Sequence, residues 1–272
     1  MGEGSIAAKG RRAGKSPSIE WLGRAGLVAQ GALWAIVGLL AAKVALGGRE
    51  ESPDRHGALR EIAQQPFGKG LLALLAIGLA GYALWRLAQA VLDRDDEGEG
   101  AKGLAKRAGN LGRAGWYGTL CVLTIAKIAG AGDSGGNEKK TTGGVLAMPL
   151  GRYIVFAAGL AFVAVALFNI YRAVTTKFNK KLKKGEMNDA EEAGATTVGI
   201  LGHLARGVVF GLVGAFLVKA AWQFDPKEAV GLDGALLELS QQPYGPILLG
   251  VVAAGLFAFG LFCIVQAKYR KI

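Results

Sequence analysis

No aspartate or glutamate lies in any of the long apolar stretches of this 272-residue chain. That absence excludes a carboxylate proton relay or sodium site of the usual kind, since such pathways are built from intramembrane acids. Histidine is almost as scarce: His56 and His203 stand far apart, with no acidic or cysteine cluster beside either. No metal site is legible from them. The two cysteines, Cys121 and Cys263, both fall within apolar stretches, so buried free thiols are expected rather than a structural disulfide. A strand–glycine-loop–helix phosphate motif, a Ser/His/Asp set and a paired-carboxylate set are missing as well. An enzyme is therefore not expected, and no catalytic, cofactor-binding or metal-ligating residue is assigned.

What is present is apolar and small: 51% of the residues are hydrophobic and 43 are glycine, arranged in long runs broken by charged segments. That is the pattern of an all-α membrane protein. A hydrocarbon core of about 30 Å needs about 20 helical residues. Six runs qualify or nearly so: 25–46, 70–91, 114–131, 152–173, 205–222 and 246–266. The net charge of +11 is distributed by side rather than gathered for nucleic acid. With odd spans running outward, nineteen Lys and Arg fall on one side and only eight on the other. The richer side is expected to be cytoplasmic, which places both termini there in the cell membrane.

The runs also repeat. The segment 57–90, GALREIAQQPFGKGLLALLAIGLAGYALWRLAQA, returns without a gap as 234–267, GALLELSQQPYGPILLGVVAAGLFAFGLFCIVQA. A degenerate copy, Met148-Pro149-Leu150-Gly151 followed by 153–173, lies between them. The odd spans align likewise, sharing Gly31, Gly115 and Gly207 and then Lys43, Lys127 and Lys219. Three tandem helical hairpins follow, all entering the bilayer in one direction and related by a pseudo-threefold axis along its normal. The expected divisions are a disordered basic tail 1–20, repeat one 21–92, a cytoplasmic linker 93–107 and repeat two 108–176. A basic linker 177–196 and repeat three 197–272 complete them. Small-residue pairs such as Gly31 and Ala35, Gly38 and Ala42, or Gly207 and Gly211 allow close helix approach in lipid.

Between the spans of repeats one and three lies a short amphipathic piece, with Pro66 and Pro243 expected in the first turn of the helix that follows. Repeat two is expected to lack this piece and to carry a mobile, glycine-rich connection. The turn itself is Gln64-Gln65-Pro66-Phe67-Gly68 in repeat one and Gln241-Gln242-Pro243-Tyr244-Gly245 in repeat three. With the R/Q-G…K element and the trailing G-L…Q-A, these motifs resemble the bacterial membrane family known as domain of unknown function 1206. The resemblance runs from Trp21 to Lys268, and repeat two departs from it at 148–151. It implies six spans in three repeats and brings no reaction, substrate or catalytic residue.

The aligned lysines, Lys43, Lys127 and Lys219, are the leading candidate site. They admit three roles: an outer ring favouring anions, snorkelling to the interface, or a clamp pairing Lys43 with Glu61 and Lys219 with Glu238. A second set, Arg86 and Asn169 near the inner ends of their spans together with Arg206, is expected to snorkel or to hydrogen-bond between helices. Lys177, Lys180, Lys181, Lys183 and Lys184, in KFNKKLKK, are expected to meet anionic lipid headgroups or to lie solvated. A cofactor is not expected, membrane lipid is the expected partner, and no protein partner is legible. The expected function is non-enzymatic, whether structural, lipid-associated or as a partner subunit. The alternative is a passive channel or simple transporter on the repeat axis.

Overall fold

A computed structural model describes residues 17–47, 53, 55–91, 100–130 and 138–270. The expected tail 1–20 and the acidic stretch 93–99 fall wholly or mostly outside them. Among the described residues the chain is helical: α1 Pro17–Ala45, α2 Arg55–Gln64, α3 Gly68–Val91, α4 Ala101–Ile128, α5 Glu138–Leu146 and α6 Gly151–Thr175. Two 3-10 turns, Lys177–Lys181 and Lys184–Glu186, lead into α7 Asp189–Gln223; the 3-10 turn Pro226–Glu228 precedes α8 Leu232–Gln241 and α9 Gly245–Tyr269.

Five of these helices are long and apolar enough to cross a membrane: Glu20–Ala45 of α1, α3, α6, α7 and α9. The expected third span, 114–131, lies mainly in α4, which is not among them. α4 is long, but its uncharged stretch between Arg113 and Lys127 is shorter than a hydrocarbon core demands. Many large apolar side chains face outward, including Leu74 at 69% exposed, Leu167 at 62% and Val251 at 69%. An apolar exterior of that kind suits lipid as the solvent and would be a liability in water.

The residues gather into two compact units. One comprises Met1–Gln30, Ile62–Ala131 and Cys263–Ile272, the other Gly31–Glu61 and Gly132–Phe262; α1, α2 and α9 contribute to both. In the first unit, α1 lies against α3 at glycines. A Cβ on Gly26 would sit 2.3 Å from Tyr82 Cβ, and one on Gly78 2.7 Å from Ala29 Cβ. In the second unit, a Cβ on Gly260 would sit 2.7 Å from Gly31 O, and one on Gly38 2.7 Å from Phe257 N. Gly159 and Gly214 close α6 on α7 in the same manner. The close approaches expected from small residues are therefore present at Gly31, Ala35 and Gly38, whereas Gly211 meets only ordinary contact.

Local chemistry sets the ends. Asn188 Oδ1 accepts from Glu191 N at 2.8 Å while Glu191 Oε2 accepts from Asn188 N at 3.0 Å, a reciprocal cap that starts α7. α7 thus begins at Asp189, inside the expected linker 177–196. α4 likewise begins at Ala101, inside the expected linker 93–107.

The repeated turn corrects two expectations. Pro66 and Pro243 do not open the following helices; each sits one residue before an exposed aromatic in left-handed backbone, Phe67 at φ 63° and Tyr244 at φ 60°. Gly68 N then donates to Gln65 O at 2.8 Å and Gly245 N to Gln242 O at 2.7 Å, so proline fills the second position of a tight turn, which its fixed φ favours. Repeat two makes the same turn without the glutamines: Gly151 N donates to Met148 O at 2.9 Å and Leu150 has φ 63° and ψ 5°. It also keeps a short helix, α5, where a mobile connection was expected. The closing glycine has a steric reason, since a Cβ on Gly68, Gly151 or Gly245 would fall 2.4, 1.8 or 2.1 Å from a backbone carbonyl oxygen.

Candidate functional site

In the second unit Lys43, in the last turn of α1, lies 3.5 Å from Glu61 Oε1. Lys219 does not pair with Glu238. It pairs with Glu228 at 2.7 Å, and Glu238 instead accepts from Gln242 Nε2 at 3.5 Å. The reason is local: Phe224 ends α7 in left-handed backbone and Asp225 Oδ1 caps Lys227 N at 2.9 Å. The chain therefore doubles back and presents Glu228 first. Lys127 stands half-buried in the last turn of α4, in the first unit. Gln64, Gln65, Pro66, Gln241, Gln242 and Pro243 are all exposed.

The basic run is partly anchored. Phe178 and Leu182 are buried, Asn179 Nδ2 donates to Thr196 Oγ1 at 2.9 Å, Lys177 meets the Tyr171 hydroxyl, and Lys183 pairs with Glu186 at 3.0 Å. Lys180 and Lys181 are exposed, and the side chain of Lys184 is outside the described residues.

Of the two roles open to Arg86, the structure shows hydrogen bonding between helices. Arg86 is 9% exposed and does not snorkel. Its Nη2 donates to Tyr82 Oη at 2.6 Å, and its Nη1 to Gln89 Oε1 at 2.9 Å and to Asn110 Oδ1 at 3.4 Å. The cause is the early start of α4, which lays Asn110 alongside the last turns of α3. Arg107 on the same helix donates to Ala90 O at 2.6 Å. The guanidinium of Arg86 also stands 4.6 Å from the ring of Trp85, and that of Arg270 stands 4.8 Å from the same ring. Trp85 Nε1 and Arg86 Nε are buried without a hydrogen-bond partner. Arg113 donates to the oxygen of Asn110 that Arg86 uses, at 2.9 Å. Arg86, Arg113 and Arg270 therefore gather at one corner of the unit, joined through Asn110 and the Trp85 ring.

In the second unit Asn169 is 4% exposed and His203 1%, and Asn169 Oδ1 lies 3.1 Å from His203 Nδ1. Asn169 Nδ2 donates to Val165 O at 2.8 Å, which leaves its oxygen to the histidine. Rings of Phe178, Phe259 and Phe262 surround the imidazole. Arg206, one turn on, has its guanidinium 4.4 Å from the ring of Phe259 and 5.0 Å from that of Trp34. Arg55 lies 4.6 Å from Trp34 as well. Arginine and aromatic faces attract each other in dry surroundings, which makes these contacts a packing device.

Three further arginines close helix ends. Arg24 donates to Ala267 O and Lys268 O at 2.5 and 2.7 Å, Arg107 to Ala90 O, and Arg152 to Ala221 O and Trp222 O at 3.0 and 3.3 Å. Terminal carbonyls have no intrahelical donor, and the negative end of the dipole favours a cation there. Sequence reasoning passed over Tyr82, Trp85, Asn110, Arg270 and Trp34. Trp85 and Arg86 are adjacent in the sequence, but nothing there says which arginine will flank the indole. Among the described residues no group of three or more His, Cys, Asp and Glu side chains is placed to hold a metal ion. Cys121 and Cys263 form no disulfide.

With this geometry in place, comparison with known proteins adds the family. The family described as Domain of Unknown Function (DUF1206) matches three times, over residues 25–93, 108–176 and 201–270. The chain is 34% identical over 257 residues to the uncharacterized protein YxxB of Bacillus subtilis (strain 168), covering 94% of this chain and 93% of that one. No solved structure matches it significantly.

Proposed function

The chain belongs to the DUF1206 family, and from that premise we propose a non-enzymatic, multi-pass protein of the cell membrane with a structural, lipid-associated or partner-subunit role. In this proposal three hairpins give six crossings about a pseudo-threefold axis, α4 supplying one of them, with both termini cytoplasmic. The lysines of 177–184 then lie at the cytoplasmic surface, where anionic headgroups would meet them. One observation carries the proposal: charged side chains within and beside the apolar helices are engaged by the fold itself. Arg86 bonds Tyr82, Gln89 and Asn110, Lys43 meets Glu61, and Lys219 meets Glu228. The pairing of two aligned lysines with acids favours the clamp over an anion-conducting ring.

Reconstitution in liposomes tests it. Chloride flux equal to that of empty vesicles is expected, and a cysteine placed at Lys180 should react with a charged thiol reagent only from the cytoplasmic side. Flux that disappears when Lys43, Lys127 and Lys219 are replaced by Gln would establish the channel instead.

A further inference from the structure

The third position of each repeated turn breaks two local rules at once. Phe67, Leu150 and Tyr244 hold left-handed backbone, φ 63°, 63° and 60°, a region that glycine and asparagine enter readily and a bulky side chain rarely does. Each is also the cap of the helix that follows, since Leu71 N, Ile154 N and Leu248 N donate to its carbonyl oxygen at 3.1, 3.2 and 3.0 Å. Caps favour Ser, Thr, Asp, Asn and Gly. Phenylalanine and leucine have no side-chain acceptor to offer, and tyrosine carries its hydroxyl at the far end of the ring. Local chemistry asks for glycine or asparagine three times, and three times a large, mostly apolar side chain stands there. Nor does the fold bury it: Phe67, Leu150 and Tyr244 are 91%, 71% and 79% exposed. A residue held against local preference and outside the core points to something beyond the chain.

We propose that these three side chains insert into the headgroup–acyl boundary of the bilayer and pin each turn there, an inference that rests on the membrane reading. Continuity carries the choice of lipid. Phe67 stands at the entrance to the outward row Leu71 and Leu74 of α3, 45% and 69% exposed, and Tyr244 at that of Leu248 and Val251 of α9, 45% and 69%. Leu150 leads likewise into Ile154 of α6, 53% exposed. A single partner chemistry also accounts for the variety. Phenyl, isobutyl and phenol groups differ in shape, which a fluid apolar medium accepts and a fitted protein pocket does not. The exposed glutamines beside two of the turns keep them at the interface rather than within the hydrocarbon.

The test uses the full-length protein in nanodiscs of phosphatidylcholine and phosphatidylglycerol, with Cys121→Ala and Cys263→Ala and one nitroxide-labelled cysteine at a time. Power-saturation EPR compares collision with oxygen, which concentrates in hydrocarbon, against collision with a water-soluble nickel chelate. Val251→Cys, on the outward face of α9, is the lipid reference and Lys180→Cys the aqueous one. Labels at Phe67→Cys, Leu150→Cys and Tyr244→Cys are expected to give an oxygen-to-nickel ratio several-fold above that at Lys180 and below that at Val251. In repeat three a label at Gln242→Cys is expected to gain nickel access when Tyr244→Asn is added. Asparagine suits both the left-handed backbone and the cap, but it cannot hold the turn in lipid. A ratio at the three turns equal to that at Lys180 overturns the proposal, as does a label shielded from both reagents, the sign of a protein partner. Nickel access at Gln242 that Tyr244→Asn leaves unchanged overturns it too. An aqueous ratio at Val251 overturns the membrane reading itself, and the proposal with it.

Discussion

Replacing Gly151 by alanine adds one methyl group where the fold has no space for it. The new carbon would lie 1.8 Å from Val145 O, 2.7 Å from Val145 C and 3.1 Å from Leu146 Cα, all backbone atoms that no rotamer change can move. The turn must open by more than an ångström, which gives up the bond from Gly151 N to Met148 O. Overpacking of this kind costs about 1–3 kcal/mol and the lost bond about 1 kcal/mol more, so a total of about 2–4 kcal/mol is expected. For a chain of this size that is roughly 5–15 °C in Tm, followed by circular dichroism in detergent. Gly115 is the control. It too recurs in every repeat, but a Cβ there meets nothing within 4 Å. Gly115→Ala should raise stability by up to about 1 kcal/mol, because glycine is the poorer helix former. Equal Tm values for Gly151→Ala and the parent protein would refute the steric account, and so would a larger loss at Gly115.

Arg86→Met should cost about 3 kcal/mol and shift the thermal midpoint accordingly, since Tyr82, Gln89 and Asn110 would each lose a charged donor. A double-mutant cycle over Asn169→Leu and His203→Leu should return a coupling of about 0.6 kcal/mol, the usual size of a buried polar contact between membrane helices. Arg152→Met should cost about 1 kcal/mol and speed amide exchange at Phe224 and Asp225, where the end of α7 loses its external donor. Lys43→Gln should change Tm by no more than one or two degrees, because Lys43 is 62% exposed and its ion pair is correspondingly weak.

The apolar runs and their recurrence were legible because a helix in lipid announces itself by composition and a tandem repeat by self-similarity. Residues 57–90 and 234–267 needed no structure to be matched. Repeat two was harder, since Met148-Pro149-Leu150-Gly151 shares only proline and glycine with its counterparts. Those two residues and a left-handed third position recur in all three turns, while the glutamines of repeats one and three stand exposed. The choice between two roles for Arg86 was open for a different reason. Snorkelling assumes that the interface is the nearest source of polar partners, but α4 starts early enough to bring Asn110 within reach, and Tyr82 lies one turn away on α3. The partner of Lys219 was misassigned because it depends on Phe224 reversing the chain, a backbone event that no charge pattern reveals.

One register position shows where the repeats stop being equivalent. Arg86, Asn169 and Cys263 occupy the same place in their spans. On α3 the residue there hydrogen-bonds across to α4 through Asn110, and on α6 to α7 through His203. The third copy offers a thiol, a weak donor at best. The scaffold is thus common to the three repeats while its polarity is graded, from a charge to a neutral amide to a near-apolar group. A function borne by the symmetry itself would need like chemistry in all three copies, as a ring of identical ligands does. Here buried polar atoms without a hydrogen-bond partner occur at two of the copies, Arg86 Nε on α3 and His203 Nε2 beside Asn169. The three copies thus share one frame, while the polar chemistry at this position differs from copy to copy.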